Sequence, residues 1–268
     1  MASIATPETL AAAAAAAARA GGEVLLSYWR RLDPRLVSQK GANDFVSRAD
    51  RESEQAIVEH LLARYPDDGV LGEEGGRRAG TSGREWVIDP LDGTSNFIAG
   101  FPFWCVSIAA RQGGATVAGA VWDPLRAELY HAARGSGAFR GTEKLRANSL
   151  PAVDGAFLAT GFPFRAKELL DPYLDLFRAL FLRARAIRRA GAAALDLAHV
   201  AAGVFDGFFE FRLSAWDIAA GALLIEEAGG VVRDFQGGDT YLESGDVVAG
   251  SRGVVESIVE AAASISRI

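Results

Sequence analysis

Cysteine, methionine and histidine are scarce in this 268-residue chain, which has one, one and three of them. With Cys105 alone, no internal disulfide can form, as expected of a chain kept in a reducing cytoplasm. His60, His131 and His199 are scattered, with no pair at metal-ligand spacing, which argues against zinc. No run of about 18 strongly apolar residues exists, so no membrane span is expected. Residues 11–18 are all alanine, the best helix former, and the N-terminus lacks a basic region or a cleavage site. Basic excess is also missing: 28 Lys and Arg against 34 Asp and Glu give a net charge of −6. Generic binding to nucleic acid or to anionic membrane rewards the opposite sign. One local basic run, Arg183, Arg185, Arg188 and Arg189, reads as a solvated or interface face.

Half the residues are hydrophobic and 23% are charged, a globular profile. The length suits one domain of two closely packed lobes, about 1–150 and 151–268, with no repeat and no linker between them. Thr6-Pro7-Glu8 starts a helix that should run to about Tyr28, and Asp50 could cap a second one through about Arg64. Trp86-Val87-Ile88 reads as a short buried strand stopping at Asp89-Pro90. Residues 105–111, 116–122 and 128–132 read as antiparallel hairpin strands. Farther on, 192–202, 217–228 and 254–265 read as helices, and 205–211, 231–235 and 246–249 as strands. The alternation predicts layered helices and sheets.

Asp89-Pro90-Leu91-Asp92-Gly93-Thr94-Ser95 carries the sharpest chemistry. Two carboxylates on a rigid turn suit a hard divalent cation, and the Leu91 carbonyl between them adds a third oxygen. Gly93-Thr94-Ser95 then offers backbone N–H groups at a helix start, where phosphate binds well. An ordinary Asp-Pro-x-Asp-Gly surface turn has the same composition. A calcium loop of the EF-hand type is excluded, because counting from Asp89 puts Thr94 and Gly100 where Gly and Glu are needed. Gly72-Glu73-Glu74-Gly75 adds acids that could reach the same cleft from a strand end. Asp217 at a helix start is either a cap or a distant ligand, and Glu210 lies seven residues before it on another element.

Taken in order, these segments resemble the inositol monophosphatase family. The resemblance rests on residues 86–97, on Trp216-Asp217-Ile218-Ala219-Ala220-Gly221 and on Glu227-Ala228-Gly229-Gly230. Residues 40–50, with Asp44-Phe45-Val46-Ser47, then 72–74, Ala159-Thr160-Gly161-Phe162-Pro163-Phe164 and the bacterial-looking 188–197 extend it over nearly the whole chain. It implies an α+β fold, a layered α-β-α-β-α sandwich related to fructose-1,6-bisphosphatase. It also implies hydrolysis of a small phosphate monoester, with two to three Mg2+ ions and inhibition by Li+. Glu73, Asp89, the Leu91 carbonyl, Asp92 and Asp217 would hold the ions, Leu91, Asp92 and Asp217 also touching substrate. Gly93, Thr94 and Ser95 would cradle the phosphate. Asp50, Thr94 and Glu73 would orient and deprotonate water. Arg188, the Ala193 backbone and Glu210 would face the alcohol. A homodimer is the usual assembly. Ala192 departs from the Ser or Thr common at this position, so a hydroxyl near the substrate is missing.

Myo-inositol monophosphate is the expected substrate, since Glu210 can accept hydrogen bonds from ring hydroxyls. Histidinol phosphate, fructose bisphosphate and adenosine bisphosphate are the rivals. A regulatory binding protein that keeps the fold and works through a macromolecular partner is the alternative of another class. Cys105 and Arg111 satisfy C-x5-R, but the interval reads as a strand without glycine, so Cys105 is expected to be a small core residue. Gly135 to Gly141 has the wrong last spacing for a dinucleotide loop and reads as a hairpin turn.

Overall fold

The alanine-rich segment forms α1 (Pro7–Tyr28), opened by Thr6, whose Oγ1 accepts a hydrogen bond from Thr9 N at 3.3 Å. This computed structural model describes residues 5–31, 38–39, 45–46 and 48–265. Lys40, Asp44 and Ser47 of the 40–50 segment lie outside the described residues.

After α1 come the two-residue strands β1 (Ser38–Gln39) and β2 (Phe45–Val46), then α2 (Arg48–Arg64). An extended run follows, of β3 (Gly69–Gly72), β4 (Gly76–Arg78) and β5 (Arg84–Asp92), with α3 (Thr94–Ala99) directly behind β5. Next are β6 (Cys105–Gln112), β7 (Ala115–Asp123), β8 (Glu128–Ala133), β9 (Gly137–Arg140) and β10 (Glu143–Lys144). The second half holds β11 (Phe157–Thr160), α4 (Leu170–Phe181), β12 (Ala186–Arg188), α5 (Ala193–Ala201), β13 (Gly207–Glu210) and α6 (Ala215–Glu227). It closes with β14 (Val231–Arg233), α7 (Tyr241–Ser244), β15 (Val247–Gly250) and α8 (Arg252–Ala263).

Eight strands make one sheet in the order β10-β9-β8-β7-β6-β5-β3-β4, and five make another in the order β12-β11-β13-β15-β14. Only β3 and β5 run parallel in the first sheet, and the hairpins from β5 through β10 are antiparallel. In the second, β11 runs parallel to β12 and β13.

Three apolar clusters set the layers. Leu10, Ala14, Ala17 and Leu25 of α1 and Ile57 and Leu61 of α2 pack with Trp86, Ile88, Val106 and Ile108 on one face of the large sheet. Val87, Cys105 and Val121 from its other face meet Leu195 and Leu197 of α5, Ile218 and Leu223 of α6, and Phe208 and Val247 of the small sheet. Tyr173 and Leu176 of α4 and Val254 and Ile258 of α8 cover the outer face of the small sheet through Leu158, Phe209 and Val248. Alternation of side chains along each strand feeds two clusters from one sheet, and the result is α-β-α-β-α. Among the described residues α1 is the one helix long and apolar enough to cross a membrane, and half of it is buried here against the sheet.

Some boundaries differ from expectation. The α2 helix begins at Arg48, so Asp50 sits inside its first turn and is not its cap. The β5 strand continues past Ile88 to Asp92, with a register shift between Asp89 and Asp92, because Pro90 has no N–H to give to β6. α4 and β12 carried no sequence expectation.

Candidate active site

The buried strand β5 delivers Asp89 and Asp92, which are 1% and 7% exposed, to the end of the large sheet. Asp89 Oδ1 accepts a hydrogen bond from Leu91 N at 2.9 Å, which fixes the turn. Gly93 follows with φ +90, a left-handed conformation that glycine adopts at little cost. A Cβ there would also press to 3.0 Å from Phe103 O and 3.2 Å from Ala192 Cβ. The chain then turns directly into α3, whose first N–H groups, including those of Thr94 and Ser95, have no partner inside the helix.

Asp217 arrives from the middle layer, in the first turn of α6, where its Oδ2 accepts from Ser214 N at 2.7 Å. It is the capping-box partner of the N-cap Ser214 and it also lines the cleft. One carboxylate oxygen each of Asp89, Asp92 and Asp217 lies within 4.8 Å of the others. Glu73, just past β3, stands on the same cleft with its N donating to Ile88 O at 3.2 Å. Arg165 reaches between the sheets to Asp217 Oδ2 at 3.4 Å and Glu73 Oε1 at 3.7 Å.

Asp92 has a second task. Its Oδ2 accepts from Ala194 N at 2.7 Å, at the start of α5. Ala192 is the N-cap of α5 and has no side-chain oxygen to offer. The carboxylate from β5 therefore does the work of the missing hydroxyl, satisfying an open N–H and facing the positive helix end.

Asp50 is buried behind the cleft wall and reaches it through Thr94, whose Oγ1 lies 3.4 Å from Asp50 Oδ2 and 3.0 Å from the Leu91 carbonyl. The hydroxyl has one proton for these two acceptors. On the opposite wall Glu210 ends β13, and a Cβ on Gly161 would fall 2.0 Å from its carboxylate, so that glycine makes its space. Ala193 also lines the cleft.

Arg188, expected to face the alcohol, is not among the residues that line the cleft. It lies at the end of β12 with its guanidinium 4.9 Å over Phe157, and Arg189 lines the cleft instead, stacked over Phe162 and Phe164. Adjacent residues of an extended chain point to opposite sides, and sequence alone did not fix the phase. Asn96, Arg165, Phe162 and Phe164 were also given no role by the sequence. Asn96 Nδ2 donates to Phe103 O at 2.7 Å and to Ala190 O at 2.9 Å, tying the Arg189 segment to α3.

The acids dominate the electrostatics. Burial first, then Glu73, Asp92, Asp217 and Asp50, pushes the Asp89 carboxyl well above its ordinary range. Burial also raises Asp50, helped by Glu73, Glu74 and Glu54. Glu210 is pushed up to about 8 by burial, opposed by Arg189 and reinforced by Asp217 and Asp92. Crowded buried carboxylates are stable when they share positive charge or protons. The donor set is all oxygen, and among the described residues no histidine lines the cleft, so the residues present fit a hard cation such as Mg2+. Cys105 is fully buried, 3.7 Å from Asp92 Oδ2, with its thiol raised well above the ordinary range by burial. A neutral thiol in the core is a poor nucleophile. The segment after Gly135 is the turn into β9, as a hairpin requires.

A family model described as the inositol monophosphatase family matches residues 6–267. The chain belongs to the inositol monophosphatase family. Among its relatives, Nus factor SuhB of Pseudomonas aeruginosa is 49% identical over 238 residues, covering 87% of this chain and 88% of that one. The crystal structure of extragenic suppressor protein suhB from Bartonella henselae superposes with a TM-score of 0.89 at 39% identity, covering 94% and 97% of the two chains. The inositol monophosphatase from Anabaena gives 0.86 at 32% identity, covering 97% and 98%.

Proposed function

We propose that this family member is a Mg2+-dependent phosphatase of small phosphorylated alcohols, with myo-inositol monophosphate as its preferred substrate. The observation that carries the reading is the convergence of Asp89, Asp92 and Asp217 within 4.8 Å beside the start of α3. Glu73, Asp89, the Leu91 carbonyl, Asp92 and Asp217 would hold the ions. Bound Mg2+ would neutralise the phosphate dianion, acidify water and stabilise the leaving alkoxide.

The chain supplies position and proton transfer. Backbone N–H groups of Gly93, Thr94 and Ser95 hold the phosphate oxygens. Thr94 Oγ1 accepts a proton from the attacking water while passing its own to Asp50 Oδ2. Burial and nearby acids make the Asp50 carboxylate more basic than a solvated one. Positive charge from bound ions would offset that repulsion and favour the ionised form that takes the proton. Attack is in line, with no covalent phospho-enzyme. Glu210, with the Ala193 backbone and Arg189, faces the alcohol. Homodimerisation, lithium inhibition and a cytoplasmic location belong to the same reading.

The test is Mg2+-dependent phosphate release from inositol, histidinol, fructose and adenosine phosphates. Wild type should turn over, with the highest kcat/KM for inositol phosphate, and Asp89→Asn should be inactive. A trapped phospho-enzyme would refute direct attack. A second reading, a transcription-related binding role, is favoured by relatives up to 49% identical that are named Nus factor. It wins if wild type and Asp89→Asn are equally inert across the panel.

A further inference from the structure

Among the side chains proposed to hold Mg2+, Glu73 is carried by the hairpin turn between β3 and β4, whose ends pair at Gly72 and Gly76, so the placement of its carboxylate depends on how that turn is held. Three consecutive N–H groups fasten that turn. Glu73 N donates to Ile88 O, Glu74 N donates to Glu54 Oε2 at 2.9 Å, and Gly75 N donates to Glu54 Oε1 at 2.6 Å. Glu54 comes from α2 and is 7% exposed. Each of its two carboxylate oxygens thus takes one N–H of the turn.

The flanking glycines complete the device. A Cβ on Gly72 would sit 2.5 Å from Glu54 Oε2, and one on Gly75 would sit 2.6 Å from Oε1. Gly-Glu-Glu-Gly therefore leaves a slot in which the Glu54 carboxylate is seated. Glu54 stands four residues after Asp50, on the same face of α2. One helix thus sends Asp50 to Thr94 and Glu54 to the turn behind Glu73.

We propose that Glu54 is the positioning residue of the metal centre: it fixes the turn that presents Glu73 toward Asp89, Asp92 and Asp217. The inference rests on the Mg2+ reading above and assigns a task to a side chain outside the ligand set. A ligand on a loosened turn pays part of its ordering entropy on binding, and loss of groups that orient metal ligands weakens affinity by about 10- to 100-fold.

The experiment is Mg2+ titration of the full chain by calorimetry, alongside thermal melting and steady-state kinetics. Glu54→Gln keeps the shape and one acceptor oxygen but cannot accept from both N–H groups. Its Mg2+ affinity should fall about tenfold, while kcat at saturating Mg2+ returns to within about threefold of wild type. Gly75→Ala keeps the carboxylate but fills its slot, and should weaken Mg2+ binding in the same way. A lower melting temperature with wild-type Mg2+ affinity in both variants would reduce Glu54 to a structural role and overturn the proposal. If wild type itself gave no Mg2+ binding, the metal reading would fall and this inference with it. Equal binding by wild type and both variants would remove this inference alone.

Discussion

Glu210→Gln makes a sharp test of the cleft electrostatics, because it removes one titration and preserves shape. The Glu210 carboxyl is pushed from 4.5 to about 8, mainly by burial. At about 1.4 kcal/mol per unit, that shift sets a ceiling of about 5 kcal/mol. The carboxyl borders the cleft, and water there reduces the effect to about 2 kcal/mol. The folded chain keeps a proton that the unfolded chain loses above 4.5, so this contribution to stability declines as pH rises from there to about 8. Glutamine has no such dependence. In EDTA-treated protein, urea unfolding followed by tryptophan fluorescence should give Glu210→Gln a relative gain of about 2 kcal/mol between pH 5 and pH 8. Parallel stability curves for the two proteins would refute the argument, as would a loss for the variant on the alkaline side.

Asp92 and Ala192 should be coupled. Ala192→Ser alone should add less than about 0.5 kcal/mol to unfolding stability, because Asp92 already takes an N–H of α5, but it should recover about 1 kcal/mol in an Asp92→Ala background. A full cap gain in the otherwise wild-type chain would contradict this. Cys105→Ala should keep phosphate release within about twofold and cost on the order of 1 kcal/mol of stability. An inactive but normally folded Cys105→Ala would revive cysteine chemistry.

Much of the cleft was legible because its acidic residues are local in sequence or sit at element starts. Asp89 and Asp92 are separated by two residues at the irregular end of β5, where Pro90 already limits the backbone. Asp217 follows a helix-start pattern, and Glu73 follows a short apolar stretch that proved to be β3. The layering was legible from alternating helical and strand patterns together with the resemblance. Arg188 was misassigned in place of Arg189 because a three-residue strand carries too little alternation to reveal which side faces the cleft. Glu54 was missed because a glutamate on a helix usually faces water, and only the neighbouring turn shows what it holds.

The sequence by itself determined the acid and glycine pattern of residues 89–95, the scarcity of soft metal ligands and most of the run of helices and strands. These follow from composition and short-range spacing. Tertiary structure alone decided that Asp92 would cap α5, that Arg165 and Arg189 would enter the acidic cleft, and that Glu54 would be seated between Gly72 and Gly75. Those contacts join residues up to about a hundred positions apart, and their partners are fixed by the packing of layers, which no local pattern encodes.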